Sequence, residues 1–269
     1  MHYSSILPDV IKVADEASEK VLHIYQSDFK VSYKADDSPI TAADTAAHDI
    51  ITQGLRNISR DIPILSEEGS DIPWEERKHW RRFWLVDPID GTRDFTQRTG
   101  EFTVNIAMIE DGVPVLGVVT APALKEAYWG VVGEGAHMRD RTGKIHRIRV
   151  VEPPSVKRVV ASKNHLNPET SAFIDKLGEH ELVQAGSSLK FCRIAQGHAD
   201  IYPRLGPTCE WDTGAAQAVL MAAGGKIVTL EGKPLEYGKQ ELLNPYFIAA
   251  GGIDLVKLTG SPCSNDSGR

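Results

Sequence analysis

The stretch from Trp84 to Asn105, WLVDPIDGTRDFTQRTGEFTVN, constrains the chain more than any other. The apolar run Phe83-Trp84-Leu85-Val86 reads as a buried strand that stops at Asp87, and Asp90, Gly91 and Thr92 follow at once. Side chains three apart on a continuing strand point to opposite faces, so Asp87 and Asp90 converge only if the chain turns between them. Pro88 favours that turn, having a fixed φ and no N–H to give a sheet, and Gly91 permits close backbone approach. Two carboxylates so close repel unless a cation lies between them. Carboxylate and carbonyl oxygens are hard ligands, which suit Mg²⁺ better than a soft or redox metal. The competing reading is an acidic turn with Asp87 and Asp90 as solvated caps, because Asp and Gly are common turn residues.

The rest of the composition bounds the setting. A chain of 269 residues, 41% hydrophobic and 25% charged, has the make-up of a globular protein of one large domain or two lobes. No apolar run approaches the ~20 residues of a membrane span, and the first residues lack a signal-peptide pattern. Cys192, Cys209 and Cys263 have neither zinc nor disulfide spacing, which fits reduced thiols and predicts a cytoplasmic protein. Peripheral attachment to the cytoplasmic face of an inner membrane stays open, since no helix is basic and amphipathic enough to argue it. The net charge of −7 argues against a nucleic-acid partner but is compatible with one small anion held by metal and local cations. Nothing distinguishes a monomer from a homodimer.

Taken in order, Ile6, Val10, Val13, Ala17, Val21 and Ile24 predict a helix with one buried stripe and Pro8 in its first turn. Lys34 to Pro39 is turn-rich. Thr41 then starts a second helix whose stripe is Ala47, Ile50, Ile51 and Leu55. Thr41 and Asp44 have capping-box spacing, a sufficient structural reason for both unless Asp44 faces the acidic cup. Ile62 to Leu65 predict a short strand ending in Ser66-Glu67-Glu68-Gly69, so one glutamate joins Asp87 and Asp90 or the loop is simply exposed. Asp71 to Arg82 reads as a surface excursion with solvated basic residues. Runs at Thr103–Ile109, Val113–Thr120, Ala127–Val132 and Ile145–Val151, separated by Glu110-Asp111-Gly112, Ala121-Pro122 and Gly133-Glu134-Gly135, predict an antiparallel meander.

Glu152-Pro153-Pro154 marks the expected boundary between an N-terminal α+β lobe (1–152) carrying the acids and a C-terminal α/β lobe (153–259), with a disordered tail over 260–269. In the second lobe, strands at Val159–Ser162, Leu182–Ala185, Ile201-Tyr202, Ile227–Leu230 and Phe247–Ala250 alternate with helices at Glu169–Leu177, from Gly186-Ser187-Ser188 through Ala195, and at Asp212–Ala223. Gly186-Ser187-Ser188-Leu189-Lys190 places hydroxyls and amides at a helix start where an anion is favoured, or a serine merely caps it. Tyr202 and Arg204 follow in YPRLGPT. Asp212 in Glu210-Trp211-Asp212-Thr213-Gly214-Ala215-Ala216 is a good N-cap, backed by small residues that permit close helix packing.

LSEE, WLVDPIDGT and WDTGAA, in that order, resemble the signature of the magnesium-dependent, lithium-sensitive inositol monophosphatase superfamily, over a span from the first helix to about Phe247. Within it the chain is most similar to the bacterial 3'(2'),5'-bisphosphate nucleotidases, on SYKADDSPITAAD, GTRDF continuing into TGEFTVNIA, AGSSLKFCRIAQGHADIYPRLGPT, and Asp94 where the inositol phosphatase branch usually has Asn. The resemblance implies a fold of α+β / α/β class, a sugar-phosphatase-type layered αβαβα sandwich with an antiparallel N-terminal sheet and a mixed C-terminal sheet. It also implies that Glu67, Asp87 and the Ile89 carbonyl hold one Mg²⁺ while Asp87, Asp90 and Asp212 hold a second. Four carboxylates and two such ions cancel in charge, so the cup would accept a phosphate dianion that it otherwise repels.

Catalysis then falls to Asp44 and Thr92, which orient and deprotonate a water, with Glu67 beside them. Glu67, Ile89, Asp90, Gly91, Thr92 and Asp212 would surround the scissile phosphate, and Ser187, Ser188, Lys190 and Arg204 the nucleoside end with its remaining phosphate. The implied reaction is hydrolysis of adenosine 3',5'-bisphosphate to AMP and phosphate, clearing the by-product of sulfate assimilation and sulfotransfer. Phosphoadenylyl sulfate is a related candidate. The alternatives are an inositol-1-phosphate or sugar-bisphosphate phosphatase with the same metals, and a catalytically silent protein that senses the bisphosphate.

Overall fold

Apolar residues at helical spacing open the chain, and they build one outer layer of the protein. In the computed structural model, which describes residues 2–33, 39–161, 166–253 and 255, helix α1 (Tyr3–Tyr25) is followed by a ribbon of β1 (Val31–Tyr33) and β2 (Pro39–Thr41) and by helix α2 (Ala42–Ile58). The expected stripes are buried: Val10, Val13, Ala17 and Val21 of α1 and Ala47, Ile51 and Leu55 of α2 share one cluster with Trp84, Val86, Ile106 and Val118. Pro8 lies in the second turn of α1, not the first, because the helix begins earlier at Tyr3. That extra turn is held by the sheet, where the Tyr3 hydroxyl donates to Glu110 and its ring faces the Arg82 guanidinium at 5.8 Å.

Next come β3 (Ile64–Ser66), a 3₁₀ turn (Glu67–Gly69), α3 (Trp74–Arg77), β4 (Arg82–Asp90), α4 (Thr92–Thr96), β5 (Thr103–Glu110), β6 (Val113–Ala121), β7 (Glu126–Val131), β8 (Gly135–Arg139) and β9 (Ile145–Ile148). They form a seven-stranded sheet in chain order, antiparallel except where edge strand β3 runs parallel to β4. Parallel pairing needs a crossover, and the Asp71–Arg82 excursion supplies it. Arg77 in that excursion is buried and not solvated, because its guanidinium donates to the carbonyls of Ile72, Lys239 and Gln240 and pins the segment to the C-terminal half. Strand β8 was not expected from the sequence. Its polar His137 and Arg139 hide the alternation around buried Ala136.

The second half supplies β10 (Lys157–Ala161), α5 (Pro168–Asp175), β11 (His180–Gln184), α6 (Leu189–Ala195), β12 (Ile201–Arg204), α7 (Glu210–Ala222), β13 (Lys226–Thr229) and β14 (Phe247–Ala250). The strands pair in the order β11-β10-β12-β14-β13, parallel on the β11-β10-β12 side and antiparallel on the other, the mixed sheet expected. Three clusters then define five layers. Between the sheets, Leu189, Ile194, Ala215 and Val219 of α6 and α7 join Leu85 and Val119 of the first sheet to Val160 and Phe247 of the second. Outside the second sheet, Ile174 of α5 packs on Val159, Ile201 and Ile248. The expected turn at Lys34–Ser38, Ser162, Cys263 and the 260–269 tail lie outside the described residues. No helix among the described residues is long and apolar enough to cross a membrane.

The small residues of α7 explain how it reaches the acidic corner. A Cβ built on Gly117 of β6 would stand 2.1 Å from the Ala215 carbonyl oxygen, and one on Gly130 of β7 would stand 2.6 Å from the Ala222 Cβ. The helix thus lies on the sheet at near-backbone contact. Gly117→Ala should force the two apart at an overpacking cost of about 1–3 kcal/mol, lowering the melting temperature by roughly 3–10 °C. An unchanged melting temperature would show that α7 is not held at that distance.

Candidate active site

A bulge brings the first two acids together. On β4 and β5, Asp87 pairs with Asn105 and Asp90 with Thr103, so three steps on one strand match two on the other. The extra residue reverses the alternation, and Asp87 and Asp90 face the same side. The sequence reading that the strand stops at Asp87 is corrected here: it runs to Asp90, and the convergence comes from the bulge at Pro88 and Ile89, where proline cannot donate to the ladder. Gly91 follows with a left-handed φ of 88°, and a Cβ there would lie 2.1 Å from Ser187 Oγ.

Asp212 arrives from the first turn of α7, where its Oδ2 accepts from the Cys209 N–H at 2.9 Å. Asp87, Asp90 and Asp212 each offer a carboxylate oxygen, and these oxygens lie within 4.8 Å of one another. Glu67, in the 3₁₀ turn just after β3, lies close enough for its charge to act on Asp87. Burial, followed by the charges of Glu67, Asp90 and Asp212, holds the Asp87 carboxyl well above the usual carboxylate range. Burial and then the Asp90 charge push Asp212 up to about 8. Asp90 is also raised by burial, against the opposing pull of Lys190 and of hydrogen bonds from Ser188. Asp87 is 1% exposed, and its carboxylate oxygens meet the Glu67 carboxyl and no N–H or hydroxyl donor. Buried oxygens without such a donor are costly to an apoprotein and are the ligands a hard divalent cation needs. The donor set fits such an ion.

Asp44 serves two ends at once. Its Oδ2 accepts from the Thr41 N–H at 2.7 Å and the Thr41 hydroxyl at 2.8 Å, completing the capping box. Its Oδ1 faces the Thr92 hydroxyl at 3.4 Å, which joins α2 to the corner, and Thr92 Oγ1 also lies 3.2 Å from the Ile89 carbonyl oxygen. Burial raises the Asp44 pKa against the Thr41 hydrogen bonds. Sequence reasoning missed two neighbours. His48, one turn after Asp44, bonds through Nδ1 to Ser66 Oγ at 2.9 Å and steadies the end of β3 before Glu67. Asn105, opposite Asp87, donates to Ser188 Oγ at 3.0 Å. The four-residue helical spacing Asp44/His48 and the strand pairing of Asn105 were the signals available.

From the second half, Lys190 and Arg204 line a pocket beside Asp90 and Asp212, with Ser187, Tyr202 and Thr208. Lys190 is buried, its Nζ 5.5 Å from the Tyr202 ring centroid, and burial lowers its pKa to about 8. The Arg204 Nε is buried without a partner, while its Nη2 donates to the Pro207 carbonyl. Ser187 and Ser188, expected at the nucleoside end, turn their hydroxyls inward. Ser187 Oγ donates to the Asp90 or Glu101 carbonyl, at 2.9 and 2.8 Å, and Ser188 Oγ lies 2.9 Å from Asp90 Oδ2. Neither side chain caps α6.

The model of the inositol monophosphatase family matches residues 3–253. The chain belongs to that family. Members are metal-dependent, and Asp87, Asp90 and Asp212 are a group of acids able to hold an ion among the described residues. The 3'(2'),5'-bisphosphate nucleotidase CysQ of Salmonella typhimurium is 47% identical over 245 residues, covering 90% of this chain and 98% of the relative. Its namesake in Escherichia coli K12 is 46% identical over 246 residues, with the same coverages. Among solved structures, CysQ from Bacteroides thetaiotaomicron superimposes with a TM-score of 0.84 at 39% identity, covering 94% of this chain and 99% of that one.

The raised carboxyls give this family site a pH signature. Asp212 keeps its proton up to about 8 in the folded metal-free protein, whereas the unfolded chain gives it up near 3.8. Stability that is full below pH 4 is therefore lost as pH rises through about 8. Added Mg²⁺ should raise the melting temperature more at pH 8 than at pH 5, and an equal rise at both would mean that the acids do not bind it.

Proposed function

We propose that this chain is a magnesium-dependent, lithium-inhibited phosphomonoesterase of the cytoplasm that removes the 3'-phosphate of adenosine 3',5'-bisphosphate, leaving AMP. The observation that carries this reading is the meeting of two charge sets: three convergent carboxylates, and beside Asp90 and Asp212 in one pocket the buried Lys190 and the half-buried Arg204. A substrate bearing two phosphates fits both. The relatives named above carry the same activity in their names.

Glu67, Asp87, the Ile89 carbonyl, Asp90 and Asp212 would hold the metal. Bound there, divalent cations supply Lewis-acid stabilisation of the phosphoryl oxygens and lower the pKa of a water. Thr92 Oγ1 accepts a proton from the attacking water and passes its own to Asp44 Oδ1, for which burial has already made a proton more welcome. The water oxygen bonds to phosphorus, the ester P–O bond breaks, and the departing ribose oxygen gains a proton. Gly91 and Thr92 start α4, so their main-chain N–H groups face an anion at its end. Lys190 and Arg204 grip the 5'-phosphate, which removes the cost of the unpaired Arg204 Nε.

Three substrates test the reading. Turnover should be greatest on adenosine 3',5'-bisphosphate and lower on adenosine 3'-monophosphate and inositol 1-phosphate. Arg204→Ala should raise KM for the bisphosphate by roughly 10–100-fold, the worth of a charge-assisted hydrogen bond, with little change for the monophosphate. Equal or better turnover of inositol 1-phosphate would favour the inositol phosphatase reading, and background phosphate release from all three a sensor.

A further inference from the structure

Ser188 sits where three segments of the site meet. Its Oγ lies 2.9 Å from Asp90 Oδ2 on β4, 2.9 Å from the Asp212 carbonyl oxygen on α7, and 3.0 Å from Asn105 Nδ2 on β5. Ser188 and Asn105 are each 1% exposed, so the hydroxyl meets protein on every side. The hydrogen count fixes its direction. An amide Nδ2 only donates, so Asn105 occupies a lone pair of Oγ, and the single hydroxyl proton must point to Asp90 or to the Asp212 carbonyl. We propose that Ser188, oriented by Asn105, is a positioning residue for the metal centre that sets Asp90 against Asp212 and makes no contact with the nucleotide.

The connectivity explains why such a group is needed. Asp90 on strand β4 and Asp212 on helix α7 are 122 residues apart by their numbers, and their carboxylates repel. Asp212 is fixed at one oxygen by the Cys209 N–H, whereas Asp90 takes its hydrogen bonds from Ser188, through the hydroxyl and the main chain. The Ser188 hydroxyl offers its one proton to Asp90 Oδ2 or to the Asp212 carbonyl oxygen, so the same atom stands between Asp90 and the α7 backbone. Asn105 extends the tie to the strand position opposite Asp87. Asp90 and the Asp212 main chain are thus referenced to one buried hydroxyl, which Asn105 ties to the strand beside Asp87. Outer groups that orient ligands in this way typically cost 10–100-fold in metal affinity when removed.

The inference rests on the triad being the metal site, and its test needs no substrate. Mg²⁺ titration of the metal-free protein by calorimetry should show Kd raised about 10–100-fold in Ser188→Ala and in Asn105→Ala. The double variant should fall short of the product of the two, because both act through one hydrogen-bond chain. Ser188→Thr, which keeps the hydroxyl, should recover most of the affinity. In turnover assays at saturating Mg²⁺, the KM of Ser188→Ala for the bisphosphate should be unchanged. An unaltered Mg²⁺ Kd in Ser188→Ala, or a raised KM with the Kd intact, would overturn the proposal in favour of a substrate contact. If Ser188→Ala does not fold, Asn105→Ala decides by the same titration, and loss of folding in both would make the pair fold-holding and likewise overturn it. If no protein, the unaltered one included, binds Mg²⁺, the metal reading itself has failed.

Discussion

Mutual repulsion among one buried and two half-buried carboxylates is the constraint on which this structure depends. Asp87, Asp90 and Asp212 present oxygens within 4.8 Å of one another, and the Asp87 oxygens have no N–H or hydroxyl donor to offset their burial. A chain left to itself would splay these groups into water. They stay because each is fixed by backbone that has other reasons to be where it is. Asp87 and Asp90 ride a strand paired on both sides within the first sheet, and Asp212 rides a helix laid almost in contact with that sheet at Gly117. The fold stores the repulsion as raised proton affinity, and cation binding releases it.

The layered architecture follows from the same need. The N-terminal segments contribute Asp44, Glu67, Asp87 and Asp90, and the C-terminal segments contribute Asp212, Lys190 and Arg204. The helices between the two sheets belong to the second half of the sequence, yet their apolar residues pack on both sheets. Arg77 reinforces the join through carbonyls more than 160 residues away in sequence. The acidic corner and the Lys190/Arg204 side are therefore set by packing across the middle layer, and a disturbance there would reach both.

Much of this was legible in the sequence. The helical stripes of α1 and α2, the meander and the α/β alternation depend on hydrophobic period, which a single sequence displays directly. The acids Asp87 and Asp90 were found by their place at the end of an apolar run, but the reason for their convergence was not. A turn was expected, whereas the strand continues through a bulge, and a bulge is a property of two strands in register that one strand's residues do not show. Strand β8 escaped because its alternation is masked by polar residues, and Arg77 because a basic residue in a charged segment gives no sign of the carbonyls waiting for it. Ser188 was visible as a helix-start serine, but its buried triple contact is a tertiary fact. Asn105 was legible only through its pairing opposite Asp87, which needs the register of the sheet.

The central claim is that the folded, metal-free protein holds protons on the triad that a divalent cation displaces. Calorimetric titration of Mg²⁺ into the protein at pH 7.5, repeated in buffers of different ionisation enthalpy, measures that exchange directly. Asp212, pushed up to about 8, and Asp87, held well above the usual carboxylate range, predict a net release of protons on binding. Binding with no release of protons would contradict the account.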